Sequence, residues 1–334
     1  MIDMPIPEIR IIKNSRPILY LDTCVLIELS RYEKGVCKNE HIDKIGALYN
    51  FLVTAMREKR ILCVLGNQLE EMGTSQNRES AREFLFRFTN VEFAPPYHVE
   101  KVQMEKGYQA FVWNMSTQTL NVADIIEHPE YVSNSSIEIH AVPIYTQERM
   151  IKLKEDKQKL ATTLNDVKNR RHVAENYDAQ LALELESDIQ VFEYNLEHTK
   201  DSWETCMITM DALKAIYRRV GIDPCNSSDD DKLKAVVSHK KFLISPYHHK
   251  LPRVWIRSVL FAHLMQRQNK IIPSDNLDIM WASAYLPFVD YVVTDSAFCN
   301  LLNQSSLADQ YGTKVYSFRT LENLLKNFVP VASL

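Results

Sequence analysis

Pro17-Ile18-Leu19-Tyr20-Leu21 is an unbroken run of side chains that avoid water, and it stops at Asp22-Thr23. Such a run, ended by turn-forming residues, is the signature of a strand buried on both faces of a parallel sheet. A helical stretch follows, with Ile42, Ile45, Leu48, Tyr49, Leu52 and Met56 at helical spacing. Ile61-Leu62-Cys63-Val64-Leu65 reads as a second buried strand. Asn67 to Met72 can open a helix, Arg78 to Phe88 reads as another, and Val91 to Phe93 reads as a third strand before Pro95-Pro96. The rhythm returns near the other end. Ser274 caps a helix that runs to about Tyr285, Tyr291-Val292-Val293-Thr294 is a strand ending at Asp295, and Ala297 to Leu302 is a short helix. Lys314 to Phe318 is a closing strand, followed by a helix through Leu321, Leu324 and Leu325. Strands alternating with helices predict an α/β fold with a parallel sheet.

The middle reads differently. From Ile144 to Val220 there is no glycine or proline, and Leu153, Leu160, Leu164 and Val167, then Leu181, Leu185, Ile189, Phe192 and Leu196, recur at helical spacing. This predicts a long helix or a helical hairpin with an apolar seam. Charge is segregated along it: residues 149–171 carry eight Lys/Arg against Glu155, Asp156 and Asp166, whereas 172–199 carry seven acids and no Lys/Arg. Two arms pairing by opposite charge, within one chain or between chains, is one reading; a basic arm that contacts nucleic acid is the other. The seam is too apolar for a lone exposed helix, so it is expected to be buried in a hairpin, a dimer or both, with a homo-oligomer formed through this segment the expected assembly.

Composition bounds the function. The 334 residues are 46% hydrophobic and 25% charged, which excludes general disorder and suits two domains or one domain with a large insertion. No run of about eighteen apolar residues occurs, so no membrane partner is expected. Asp3 and Glu8 stand where a secretory signal needs basic and then apolar residues, which predicts a cytoplasmic protein. The six cysteines form no CxxC pair, so reduced thiols are expected rather than a zinc knuckle or a disulfide framework. Lys and Arg number 39 against 43 Asp and Glu, a net charge of −4, so a polyanion would need a local basic surface. With 7 glycines and no GxGxxG, GxxxxGK[ST] or GxSxG, the usual dinucleotide, P-loop and hydrolase-elbow readings fall away.

What remains is a set of carboxylates at strand ends, the edge where open α/β sheets bind ligands. Asp22 follows the first strand and Asp295 the late one; Glu70 and Glu71 begin the helix after the second strand; Asp278 lies in the first turn of the helix before Asp295, with Asp275 one turn earlier on the same face. An Asp after a strand is by itself an ordinary turn former or helix cap. Several together repel unless a cation neutralises them, and hard oxygen ligands without His or Cys select Mg²⁺ or Mn²⁺. Such a centre suits phosphodiester hydrolysis without a nucleophilic side chain.

Ile18 to Leu29, with its Asp22-Thr23 step, resembles the opening of PIN-domain nucleases. Ile61 to Met72 resembles their second strand and helix-initial Glu. Asp278 to Tyr285 and Asp290 to Asp295 look like their third acid on a helix and their Thr-Asp after the next strand, and Lys314 to Leu325 resembles their closing strand and helix. The motifs cover about 1–95 and 252–330. The resemblance implies a PIN-like three-layer α/β/α domain with a mainly parallel central sheet, built from residues 1–96 and 251–334; the block over 97–250 departs from the family's pattern and reads as a large α-helical insertion. It implies a Mg²⁺/Mn²⁺-dependent nuclease acting mostly on RNA. Asp22, Asp278 and Asp295 carry over as first, third and fourth metal ligands. The second is Glu71, which precedes the apolar Met72, or its neighbour Glu70. Thr23 and Thr294 would hold carboxylates or the substrate phosphate. A structure-selective DNase and a catalytically silent scaffold that binds nucleic acid or protein are the alternatives. A role as a toxin or in phage defence would fit such a nuclease, although no residue shows it.

Other features read as structural. Asp229-Asp230-Asp231 is a solvated helix start, His248-His249 an exposed pair in a Pro/Lys loop, and Asp290 a strand-entrance residue. Trp113, Trp203, Trp255 and Trp281 lie in apolar helical patterns and are expected in cores.

Overall fold

The computed structural model describes residues 7–66, 68, 84–128, 147–170, 174, 176–198, 228–267 and 269–328. The strands are β1 (Glu8–Ile12), β2 (Ile18–Leu21), β3 (Leu62–Leu65), β4 (Val91–Phe93), β5 (Thr117–Asn121), β6 (Ile126–His128), β7 (Tyr291–Val293) and β8 (Lys314–Tyr316). The helices used below are α1 (Thr23–Glu33), α2 (Ile42–Arg57), α3 (Pro96–Val112), α4 (Gln147–Arg170), α5 (Tyr177–Leu185), α6 (Ser187–His198), α7 (Asp229–Leu243), α8 (Pro246–His249), α9 (Pro252–Gln266), α10 (Pro273–Tyr285), α11 (Ser296–Gln304), α12 (Leu307–Gln310) and α13 (Leu321–Phe328).

The fold is mixed α/β, and its sheets are dominated by parallel pairs. Six strands form the main sheet in the order β6-β4-β3-β2-β7-β8. All pairs are parallel except β4 with β6. β2 lies inside the sheet, and its four residues alternate between two cores. Ile18 and Tyr20 face one core with α3, α9, α10 and α11. Leu19 and Leu21 face the other with α1, α2 and α13. Burial on both faces is what an uninterrupted apolar strand requires. On the first face Tyr20 stacks on Trp281 with ring centroids 4.5 Å apart, which ties β2 to α10.

The strand order places the site. From β2 the chain moves outward to β3 and β4, then returns to lay β7 on the other side of β2. The order therefore reverses between β2 and β7, and ligands of open α/β sheets bind in the crevice at such a switch point.

Three strands were not foreseen. β1 pairs in parallel with β5 as a separate two-stranded sheet, in register from Glu8 with Thr117 to Ile12 with Asn121. β6 extends the main sheet from within the 97–250 segment. In that segment α4 packs against α10, and α5 against α9. A satellite core of Tyr108, Phe192, Phe242, Tyr247 and Leu251 joins α3, α6, α7 and α8 to the start of α9. Gly107 makes this approach possible, since a Cβ there would sit 2.8 Å from Leu251 Cδ2.

Some local expectations are corrected. His248 is fully buried in the short helix α8 rather than exposed in a loop, because Phe242 and Asp188 close over it. Trp281 is buried, but Trp113 stands at the C-terminal end of α3 and is 52% exposed. Trp203 lies outside the described residues. Within the seam Ile189 and Phe192 are buried, whereas Leu160 is 41% exposed.

Candidate functional site

The C-terminal edge of the sheet brings together the acids that follow β2 and β7. These strands pair in register, Leu21 opposite Val293, so the residues that leave them stand side by side. The Asp22 backbone N–H still donates to Val293 O, at 2.9 Å. Asp22 then turns the chain into α1 as its N-cap, with Oδ1 accepting from the Thr23 N–H at 2.6 Å. Its Oδ2 accepts from Thr294 Oγ1 at 2.5 Å, and Cys24 Sγ lies 3.6 Å from the same oxygen. Thr294 is fully buried and Asp22 only 6% exposed.

Asp295 repeats the device one strand over. It is the N-cap of α11, and its Oδ1 accepts from the Ala297 and Phe298 N–H groups at 2.7 and 3.1 Å. Its Oδ2 takes no hydrogen bond among the described residues. Asp275 and Asp278 come from the first turns of α10, and Asp275 Oδ2 accepts the Ile272 N–H at 2.8 Å. Asp275, Asp278 and Asp295 line one cleft of about 200 Å³, with Arg267, Ser274 and Phe298 among its other walls.

The electrostatics show that these groups feel one another. Burial pushes the Asp22 carboxyl above its ordinary value, and the charge of Asp295 adds to the push. Hydrogen bonds from Thr294 and the Thr23 N–H work against that rise. Burial raises the Cys24 thiol strongly, and Asp22, Asp295 and Asp278 all raise it further. One thiol therefore senses three carboxylates, from β2, β7 and α10. A thiol held protonated in this way is a poor nucleophile, so covalent cysteine chemistry is not what this edge is built for.

Of the residues picked out from sequence, the structure brings Asp22, Thr23, Thr294 and Asp295 to one edge and sets Asp275 and Asp278 beside it. Glu70 and Glu71 lie outside the described residues. Among the described residues no three His, Cys, Asp or Glu side chains are placed closely enough to grip a metal ion as they stand. The donor set is nonetheless that of a hard cation, carboxylate oxygens beside a hydroxyl with no histidine.

Three residues of this edge were missed. Gln68 is fully buried just past β3; its Nε2 donates to Leu21 O at 3.1 Å and Val64 O at 3.3 Å, and its Oε1 accepts from the Gly66 N–H. It ties the ends of β2 and β3 together. Cys24 and Arg267 are the others. A polar amide three residues past a buried strand is a faint signal for the first. Nothing in the sequence marks the second and third. No protein-family model, no curated protein sequence and no solved structure matches the chain.

Proposed function

We propose that the protein is a Mg²⁺- or Mn²⁺-dependent nuclease that hydrolyses phosphodiester bonds, with RNA its favoured substrate, and that its α/β body is PIN-like with the 97–250 segment as a helical insertion. The observation that carries this reading is the placing of Asp22 and Asp295 side by side at the ends of β2 and β7, the switch point of the sheet, with Asp278 lining the same cleft as Asp295. Asp22, Asp278 and Asp295 would hold the cation, with Glu71 or Glu70 as the remaining acid. Bound there, it would activate water and neutralise charge developing on the phosphate oxygens.

The chain's own residues do the rest. Thr294 fixes Asp22 by occupying Oδ2. Asp22 and Asp295 face the reaction from two neighbouring strand ends and orient the attacking water. Asp275 stiffens the first turn of α10 through the Ile272 N–H, which sets the position of Asp278. Arg267, on the cleft wall, offers a positive charge to the incoming phosphate diester. The basic face of α4 supplies the local attraction that a net charge of −4 does not. Self-association through the insertion belongs to the same proposal: Leu160, Leu183, Val191 and Tyr194 are exposed there, 38% to 61%.

A silent scaffold is the second reading. It is favoured by the capping bonds of Asp22 and Asp295, which a purely structural edge would also need. Cleavage of fluorophore-labelled single-stranded RNA and DNA separates the two. Asp22→Asn, Asp278→Asn and Asp295→Asn should each cut the rate at least ~100-fold while leaving the caps intact. Full activity in EDTA, or wild-type rates in Asp22→Asn, would overturn the nuclease assignment.

A further inference from the structure

Next to the carboxylate cleft, and sharing Ile272 with it, lies a second cleft of about 510 Å³ between α4 and the segment that leads into α10. Gln158, Thr162, Asn165 and Asn169 line it from α4, and Asn269 and Lys270 from the other side. Its wall is held in place. Asn165 bonds Ile271 in both directions: Nδ2 donates to the Ile271 O at 2.8 Å, and Oδ1 accepts from the Ile271 N–H at 2.9 Å. Lys168 Nζ donates to Leu264 O at 3.0 Å and Asn269 O at 2.8 Å. These bonds lock α4 to the residues just ahead of Asp275 and Asp278, so the two clefts keep a fixed relation.

The chemistry of the lining is distinctive. The side-chain amides of Gln158, Asn169 and Asn269 make no hydrogen bond among the described residues, although each carries two donors and an acceptor. Lys168 is already engaged, and Asp166 lines the cleft as well as Lys270, so the cleft is not a simple cationic groove. Among the described residues no aromatic ring lines it, so hydrogen bonding rather than stacking is the capture these residues offer. Neutral amides suit a planar partner with its own donors and acceptors, and the volume is that of a small-ligand site.

We propose that this cleft takes the base of a nucleotide next to the scissile phosphate in a single-stranded nucleic acid, and that Asn169 and Asn269 read the hydrogen-bonding edge of that base. The proposal rests on the nuclease reading of the neighbouring carboxylates. Asn and Gln pair in bidentate fashion with base edges, and only unpaired bases leave their Watson–Crick edges free. The exposed Lys154 and Lys159 lie farther along the same helix, where they can follow the strand's phosphates.

The test is fluorescence anisotropy in EDTA, so that hydrolysis does not enter, with labelled A, C and U or T homopolymers as both RNA and DNA. Wild type should bind single strands with a base preference and bind the hybridised duplex more weakly. Asn169→Ala with Asn269→Ala should weaken the preferred homopolymer ~10-fold and flatten the preference, leaving the salt dependence unchanged. These positions are exposed, and equal thermal melts would confirm that the fold is intact. Selective loss on either polymer supports the site. Wild-type binding by the double variant, equal affinity for duplex, or no binding of any oligomer overturns it. The two readings fail separately. Base-selective, amide-dependent binding without Mg²⁺-driven cleavage sinks the nuclease and keeps the site. Cleavage with amides indifferent to base sinks the site and keeps the nuclease.

Discussion

Thr294→Val isolates the bond on which the geometry of Asp22 depends. Valine keeps the shape of threonine, so no cavity opens; what disappears is the 2.5 Å hydrogen bond to Asp22 Oδ2. Both groups are buried, so water does not replace the donor. A hydrogen bond to a buried charged group contributes roughly 1.5–3 kcal/mol, so Thr294→Val should destabilise the fold by about 2 kcal/mol in urea unfolding at neutral pH. Thr294→Ser keeps the hydroxyl and loses one buried methyl, at about 1 kcal/mol. The bond from Thr294 lowers the Asp22 carboxyl, so its loss raises that group further. The valine deficit should therefore shrink as pH falls through the folded value of Asp22, which already lies above 3.8. Cleavage should fall ~10- to 100-fold in the valine variant and stay near wild type in the serine variant. A valine variant no less stable and no less active than the serine variant would refute the assigned role of Thr294.

Asp22→Asn should abolish cleavage yet raise stability in metal-free buffer, since asparagine caps a helix as well as aspartate does. Because burial raises Asp22, its penalty appears as pH rises above 3.8; the gain should be present at pH 7 and gone near pH 3 in paired urea titrations. His239 lies against Phe192, and its Nδ1 has no partner among the described residues. Burial, with the charge of His248 nearby, pulls it from 6.5 down to about 3, while Asp188 opposes. A lowered histidine stabilises fully above its unfolded value and loses that as pH falls, about 2 kcal/mol by pH 5. His239→Leu should thus move the acid-unfolding midpoint to lower pH, and an unmoved midpoint counts against a neutral buried ring. Reversing Lys152, Lys154, Lys157 and Lys159 to Glu should weaken nucleic-acid binding and flatten its salt dependence while the rate at saturating substrate holds. If light scattering instead shows a lost oligomer with unchanged affinity, α4 is an assembly element.

The main sheet was legible because its strands are the least ambiguous local signal in the chain. Ile18–Leu21, Leu62–Leu65 and Tyr291–Val293 are buried on both faces, so they carry no polar interruption. β1 and β5 were not legible: Thr117-Gln118-Thr119-Leu120-Asn121 is mostly polar, and its pairing with Glu8–Ile12 spans more than a hundred residues. The long helix α4 showed in the missing glycines and prolines, but its partner did not. Asn165 and Lys168 dock on backbone atoms of 264–271, and a backbone acceptor leaves no trace in side-chain pattern. The acidic stretch likewise goes to Arg257 and Lys240, through Asp188 and Glu193. At the site, Asp22 and Asp295 were visible as acids ending apolar runs. That their strands are neighbours was a matter of topology, and Gln68 and Arg267 became visible only once the strand ends were brought together.

The most direct measurement is anomalous diffraction from crystals equilibrated with Mn²⁺. A peak is expected at the β2–β7 edge, with oxygens of Asp22, Asp278 and Asp295 about 2.1 Å from it and Glu70 or Glu71 completing the set. Asp295→Asn should remove or displace the peak. A saturated crystal with no manganese at this edge, or with manganese held only elsewhere on the chain, would contradict the metal assignment.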